Sequence, residues 1–190
     1  MTSQKITVAV FIGSLKKDSI NFKIANTIEQ IACKDLIFKY IKISDLPLYN
    51  EDHEKNFPEK IAILKNEVIN TDSVLFVTPE HNKSISAALK NAIDWISRPY
   101  GRNSWKNKKA AIIGGSISKS GTCSAQYHLR QILSSLGVVT MPTPELMLQC
   151  YDDIFDPKLP IINEKYTLNF IESWVSQYTA WLKKSISADY

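Results

Sequence analysis

The chain has little cysteine, no long apolar run and no dense block of one charge, and each shortage removes a class of protein. Cys33, Cys123 and Cys150 stand far apart with no CxxC pair among them, which argues against a disulfide scaffold and against a cysteine-built zinc site. No apolar stretch approaches the ~20 residues that a membrane span requires. The N-terminus lacks a basic patch leading into a long apolar core, so a soluble, cytoplasmic protein is expected. The net charge of +4 is mild. Its one local cluster, Lys106, Lys108 and Lys109 beside Arg98 and Arg102, reads either as a solvated surface or as attraction for an anionic ligand. Nucleic-acid binding is not indicated. Repeats, low-complexity tracts and dividing linkers are absent too, and 190 residues with 44% hydrophobic content suit one domain with a full core.

What is there alternates. Ile6 to Ile12 is a short β-branched run stopped by Gly13, the pattern of a buried strand. Phe22, Ile24, Ala25, Ile28, Ile31 and Ala32 then fall at helical spacing, with Asp18 or Ser19 available as N-cap. Leu36 to Ile43 reads as a second strand. A helix is expected from Pro58 through Ile69, a third strand over Ser73 to Val77, a helix over Ala87 to Ser97, and a fourth strand over Ala110 to Ile113 ending at Gly114-Gly115. Ser124 to Leu136 is a fourth helix closed by Gly137. Val138 to Met141 begins a fifth strand interrupted near Pro142 and Pro144, and Tyr166 to Leu182 is a terminal helix. Strands alternating with helices predict an α/β, doubly wound parallel sheet covered on both faces. Either common doubly wound strand order is consistent with this pattern.

Ligands of such sheets bind beyond the carboxyl ends of the strands, so three loops are singled out. Gly13 to Asn21 holds one glycine and is neither a Walker A loop nor a GxGxxG fingerprint. It offers Ser14, Lys16, Ser19, Asn21 and the free N–H groups of a helix start, which suit a phosphate monoester; a plain helix cap with exposed lysines fits it equally well. Thr78 to Ile85 follows a buried strand. Gly114 to Thr122 carries glycines at 114, 115 and 121 that would let backbone amides approach a planar ligand. Other conspicuous residues have plainer readings: Lys90 and Asp94 as a surface pair, Trp95, Trp174 and Trp181 as core or interface aromatics, His128 as structural, His53 as a loop residue and Cys123 as an inert thiol.

Gly13-Ser14-Leu15-Lys16-Lys17 with Ser19 and Asn21, Leu46 to Asp52, Thr78-Pro79-Glu80-His81-Asn82 with Ser84-Ile85, Leu89 to Trp95 with Ser97-Arg98-Pro99, and Ala125 to Arg130 occur in one order over most of the chain. Together they resemble the NADPH-dependent FMN reductase family, most closely its bacterial quinone and chromate reductases. The resemblance implies a flavodoxin-like, five-stranded parallel sheet ordered 2-1-3-4-5 that binds FMN non-covalently. It places Ser14, Lys16, Ser19, Ile20 and Asn21 at the FMN phosphate, Pro79, Glu80, His81, Asn82 and Ser84 along the ring and ribityl chain, and Ser116 with Gly121 on the far side of the ring. It further implies NADPH or NADH as co-substrate, small-molecule electron acceptors (quinones, free flavin, azo compounds, metal oxyanions such as chromate), and a homodimer or dimer of dimers. His81 stands where the family usually has Tyr, and Ser86-Ala87 where it commonly has Pro-Gly. Two rival expectations are a flavodoxin-type electron carrier and a flavin-free interaction protein on the same fold.

Overall fold

Each short apolar run forms a strand and each amphipathic segment a helix in the computed structural model of the chain, which describes residues 5–187 with residue 33 excepted. Cys33 therefore lies outside the described residues. The order is β1 (Ile6–Ile12), α1 (Ile20–Ala32), β2 (Leu36–Tyr40), α2 (Glu59–Ile69), β3 (Ser73–Val77), α3 (Ala87–Ile96), β4 (Lys109–Ser116), α4 (Cys123–Ser135), β5 (Val139–Thr140), β6 (Leu146–Gln149) and α5 (Lys165–Ser187). A six-residue stretch of 3-10 helix at Glu51–Asn56, which the sequence pattern does not predict, lies between β2 and α2. All strand pairs are parallel, and the order β2-β1-β3-β4-β5 is the doubly wound arrangement expected.

The sheet departs from the expectation at its far edge. The anticipated fifth strand exists as two pieces, giving six strands: β5 pairs with Lys109 and Ala110, and β6 pairs with Ile113 to Ser116 of the same β4. Pro142 and Pro144 separate the pieces, because proline offers no N–H to a ladder. β4 correspondingly runs through Gly114-Gly115 to Ser116, past the glycine pair at which the sequence pattern predicts its end. β2 is shorter than its apolar run, since its pairing with β1 stops at Val10 and Tyr40.

Alternation along the strands divides the core into two layers. Val8, Val10, Leu75, Val77, Ala111 and Ile113 pack against α1 and α5, while Ala9, Phe11, Val74, Phe76, Ala110 and Ile112 pack against α2, α3 and α4. Strands covered on both faces cannot alternate polar with apolar, which is why they read as continuous β-branched runs. Trp105 plugs the second layer against Phe11 and Phe76, with ring centroids 5.6 and 5.7 Å away. Tyr178 of α5, also fully buried, reaches Ser73 Oγ at 3.1 Å. Among the described residues no helix is long and apolar enough to cross a membrane.

Candidate functional site

Because β1, β3 and β4 are neighbours, the loops that leave them open at one edge and pack on one another. Gly13 N–H donates to Val77 O at 2.9 Å, and Ser86 Oγ donates to Gly13 O at 2.6 Å. A Cβ on Gly13 would come within 2.8 Å of Pro79 Cδ. The first two loops are thus in van der Waals contact at their roots.

In the first loop Ser19 caps α1, its Oγ accepting Phe22 N–H at 3.3 Å. Ile20 begins the helix, and with Phe22 and Lys23 N–H bonded to Ser19 the N–H groups of Ile20 and Asn21 remain at its start. Ser14 is half-buried, while Lys16 and Lys17 are exposed and have no side-chain partner among the described residues. Ser14, Lys16, Lys17 and Ser19 line a cleft of about 300 Å³ whose apolar side is Ile12, Phe22 and Ile43. Asn21 does not join them. It is 3% exposed and its amide is turned inward to Gly115, accepting that residue's N–H and donating to its carbonyl. Its side chain is committed to the end of β4, so what Asn21 offers a phosphate is its backbone N–H.

The second loop is a tight hairpin. His81 and Ser84 exchange both backbone hydrogen bonds at 2.9 Å, and Asn82 and Lys83 between them have φ of 51° and 64°, the signature of a type I′ turn. Asn82 sits exposed at the tip, its amide without a side-chain partner among the described residues. Pro79 is buried at the base. Glu80 is largely enclosed, its Oε2 accepting Ala125 N–H at the start of α4 (3.0 Å) and its Oε1 lying 3.8 Å from Lys83 Nζ. A carboxylate at a helix N-terminus is favoured by the helix dipole. His81 is exposed beside the turn, and Ser84 Oγ lies 2.7 Å from His128 Nδ1. Ser86 caps α3 by accepting Leu89 N–H at 3.2 Å, and Ala87 follows it exposed.

The third loop is closed by Ser116, whose hydroxyl donates to Gly121 O at 2.7 Å and accepts Ser118 N–H at 3.1 Å. Gly121 has a positive φ of 56°, which suits glycine. Gly114 and Gly115 serve a different end from the one expected. A Cβ on Gly114 would lie 2.1 Å from Thr78 O, and one on Gly115 would lie 2.5 Å from Ile24 Cδ1. Their bareness is used by the protein's own packing.

Several features near this edge escape a sequence reading. Asn91 and Trp95 of α3 staple the loop after β2: Trp95 Nε1 donates to Pro47 O at 2.7 Å, Asn91 Nδ2 donates to the same carbonyl at 2.9 Å, and Asn91 Oδ1 accepts Tyr49 N–H at 2.7 Å. Trp95 is consequently fully buried and unavailable to an interface. His53 stacks parallel to it. Arg98 lies over the Tyr49 ring at 5.5 Å. In the basic cluster, Lys108 turns inward to the carbonyls of Ile69 and Thr71, and Lys109 is buried in β4.

A profile described as NADPH-dependent FMN reductase matches residues 6–153. The chain belongs to that family. A 2-hydroxy-1,4-benzoquinone reductase from a Burkholderia species is 37% identical, with 94% of this chain and 97% of the relative covered. A quinone reductase of Pseudomonas putida is 40% identical over 95% of this chain and 97% of its own length. The solved flavoenzyme NAD(P)H:(acceptor) oxidoreductase FerB of Paracoccus denitrificans superposes with a TM-score of 0.89 at 39% identity, covering 95% and 98% of the two chains. A flavodoxin of Pseudomonas aeruginosa, at 17% identity and a TM-score of 0.59, shares the fold. For a member of the FMN reductase family the cofactor is FMN and the reductant NAD(P)H. The residues present fit that cofactor, because two cations without a side-chain partner among the described residues line the cleft beside the α1 start and an unpartnered amide tips the second loop.

Proposed function

We propose that this protein is an NAD(P)H-dependent quinone reductase that carries FMN across the carboxyl edge of its sheet. The observation that carries the reading is the convergence of the cationic α1 start and the type I′ hairpin on adjoining strands. Bound FMN supplies the redox chemistry, accepting a hydride from NAD(P)H and passing two electrons to the acceptor. The protein's task is to bind and orient. Ser14, Lys16 and Ser19, with the N–H groups of Ile20 and Asn21, hold the phosphate; Lys16 contributes a point charge, without the bidentate fork an arginine would supply. Pro79, Glu80, His81, Asn82 and Ser84 form one wall for the ring, and the Ser116 to Gly121 loop forms the opposite one.

The acceptor class follows from relatives named for quinones; free flavin, azo compounds and chromate are further acceptors to be compared with it. The reading includes self-association into a homodimer or dimer of dimers, supported by the exposed Tyr127 on α4 and measurable by sedimentation. The decisive experiment adds NADPH or NADH anaerobically to the purified protein and follows flavin absorption, then adds a benzoquinone. Bleaching followed by rapid recovery supports the reductase. A yellow protein that neither nucleotide reduces would instead be an electron carrier, and a protein that takes up no FMN would overturn the reading entirely.

A further inference from the structure

The hairpin that faces the proposed flavin is an uphill conformation. Asn82 and Lys83 both occupy the left-handed region, which costs an ordinary L-residue free energy, and the turn is closed from within by the two bonds between His81 and Ser84 and the long Glu80 to Lys83 contact at 3.8 Å. Contacts from outside help to hold it. Helix α4 does so from two places one turn apart. On one arm Glu80 Oε2 accepts Ala125 N–H at 3.0 Å; on the other, Ser84 Oγ meets His128 Nδ1 at 2.7 Å.

The two ties differ in what explains them. Glu80 satisfies a backbone donor at the helix start, which any N-terminus needs. The Ser84 to His128 contact satisfies no backbone group, fills no core and joins a half-buried hydroxyl to an exposed imidazole. An exposed contact of this kind adds little to global stability, because ordering the two side chains offsets much of one hydrogen bond. Its effect is local, on the arm of the turn that carries Ser84. The contact is available in either protonation state: neutral Nδ1 accepts from the hydroxyl, and imidazolium Nδ1–H donates to it.

We propose that His128 is a positioning residue, holding Ser84 and with it the hairpin in the shape that receives the flavin. This inference rests on the FMN-binding reading above. In it α4 acts as a splint: the turn arrives preformed, and ordering it is not charged against cofactor or acceptor binding.

The test uses the full chain and four variants: His128→Phe, His128→Asn, Ser84→Ala and the double Ser84→Ala/His128→Phe. FMN dissociation is read from recovery of flavin fluorescence on dilution, with kcat and KM for a benzoquinone measured alongside. His128→Phe keeps the ring volume and loses Nδ1; FMN binding is expected to weaken roughly 3- to 10-fold, the scale of one hydrogen bond. The melting temperature of the FMN-free chain should move by no more than about 2 °C. Asparagine places a polar atom where Nδ1 stood, so His128→Asn should recover most of the affinity. The double variant should bind FMN no more weakly than Ser84→Ala alone. Unchanged FMN affinity in His128→Phe, failure of asparagine to restore it, or additive losses in the double variant would each overturn the proposal. If the wild-type chain itself bound no FMN, the functional reading would fall first, and the comparison keeps the two failures distinct.

Discussion

Asn21 and Gly115 exchange two hydrogen bonds, with Asn21 Oδ1 accepting Gly115 N–H at 3.1 Å and Asn21 Nδ2 donating to Gly115 O at 3.2 Å. One side-chain amide thereby imitates a strand neighbour and ties the first turn of α1 to the end of β4. Asn21→Ala removes both bonds at a buried position, which should cost about 1–3 kcal/mol and lower the melting temperature by roughly 3–10 °C. Asn21→Asp should be at least as damaging at neutral pH, since it sets a carboxylate against the Gly115 carbonyl. FMN affinity, measured where both proteins are fully folded, should change little. A large loss of FMN affinity at unchanged melting temperature would return the Asn21 side chain to the phosphate.

Gly114 makes a companion case in backbone rather than side chain. A Cβ there would lie 2.1 Å from Thr78 O and 2.4 Å from Thr122 Oγ1, so Gly114→Ala forces the exits of β3 and β4 apart. A cost of at least about 2 kcal/mol is expected, together with weaker FMN binding, because the Thr78 side of that contact leads into the hairpin. Gly101 is the control: φ is +80° but nothing lies within 4 Å of its would-be Cβ. Gly101→Ala should cost only about 1–2 kcal/mol from the backbone and leave FMN binding alone. Thermal melts and FMN titrations of the two variants check both halves.

These two positions also mark where the sequence stops being legible. The strands and helices could be read because the sheet is covered on both faces, so that Val74 to Val77 had to be apolar throughout and α3 apolar on one side. The loops at the carboxyl edge were legible through their residue types. What each polar group touches was not, since its partner is remote: Asn21 and Gly115 are 94 residues apart, Ser84 and His128 are 44. Nothing local distinguishes an amide turned out to a ligand from one turned in to a strand. The glycine pair at 114 and 115 reads as a strand end, although glycine inside a strand also signals close approach of another chain segment. β6, the segment that pairs there, could not be seen from the pair itself.

Lys65 offers a pH-dependent test. Its Nζ donates to the carbonyls of Ile96 at 2.7 Å and Arg102 at 2.9 Å, and to that of Arg98, clamping α2 to the end of α3 and the segment that follows it. Burial, aided by the nearby Arg102 charge, pushes its pKa down to about 8 from 10.5. Between those values the unfolded chain binds more protons than the folded one, so the contribution of Lys65 to stability rises with pH across that window. Lys65→Met lacks this term and also leaves the carbonyls without their donor, at a cost of about 1–3 kcal/mol. Wild type should be the more stable at neutral pH, and its lead should widen as pH is raised through about 8 toward 10. Denaturant melts of both proteins over that range measure the difference, and a lead that stays flat or narrows would contradict the assigned shift.

The hairpin tip supplies a prediction of opposite sign, a stabilising one. A type I′ turn demands positive φ at both central residues, and asparagine tolerates it better than most, so Asn82 at 51° is well placed. Lys83 at 64° is not, for its Cβ crowds the following carbonyl at a cost of about 1–2 kcal/mol. Lys83→Gly removes that strain. It also removes the contact with Glu80, but at 3.8 Å and with the lysine side chain 78% exposed that pair is worth little. A gain of up to about 1 kcal/mol remains after the added freedom of the unfolded glycine is counted, or a melting temperature higher by about 2–4 °C. Lys83→Val should move the other way, since a branched Cβ tolerates the left-handed region least. If Lys83→Gly instead melted lower, the Glu80 to Lys83 pair would outweigh the backbone strain, and the turn would owe its shape to charge on the arm that α4 caps.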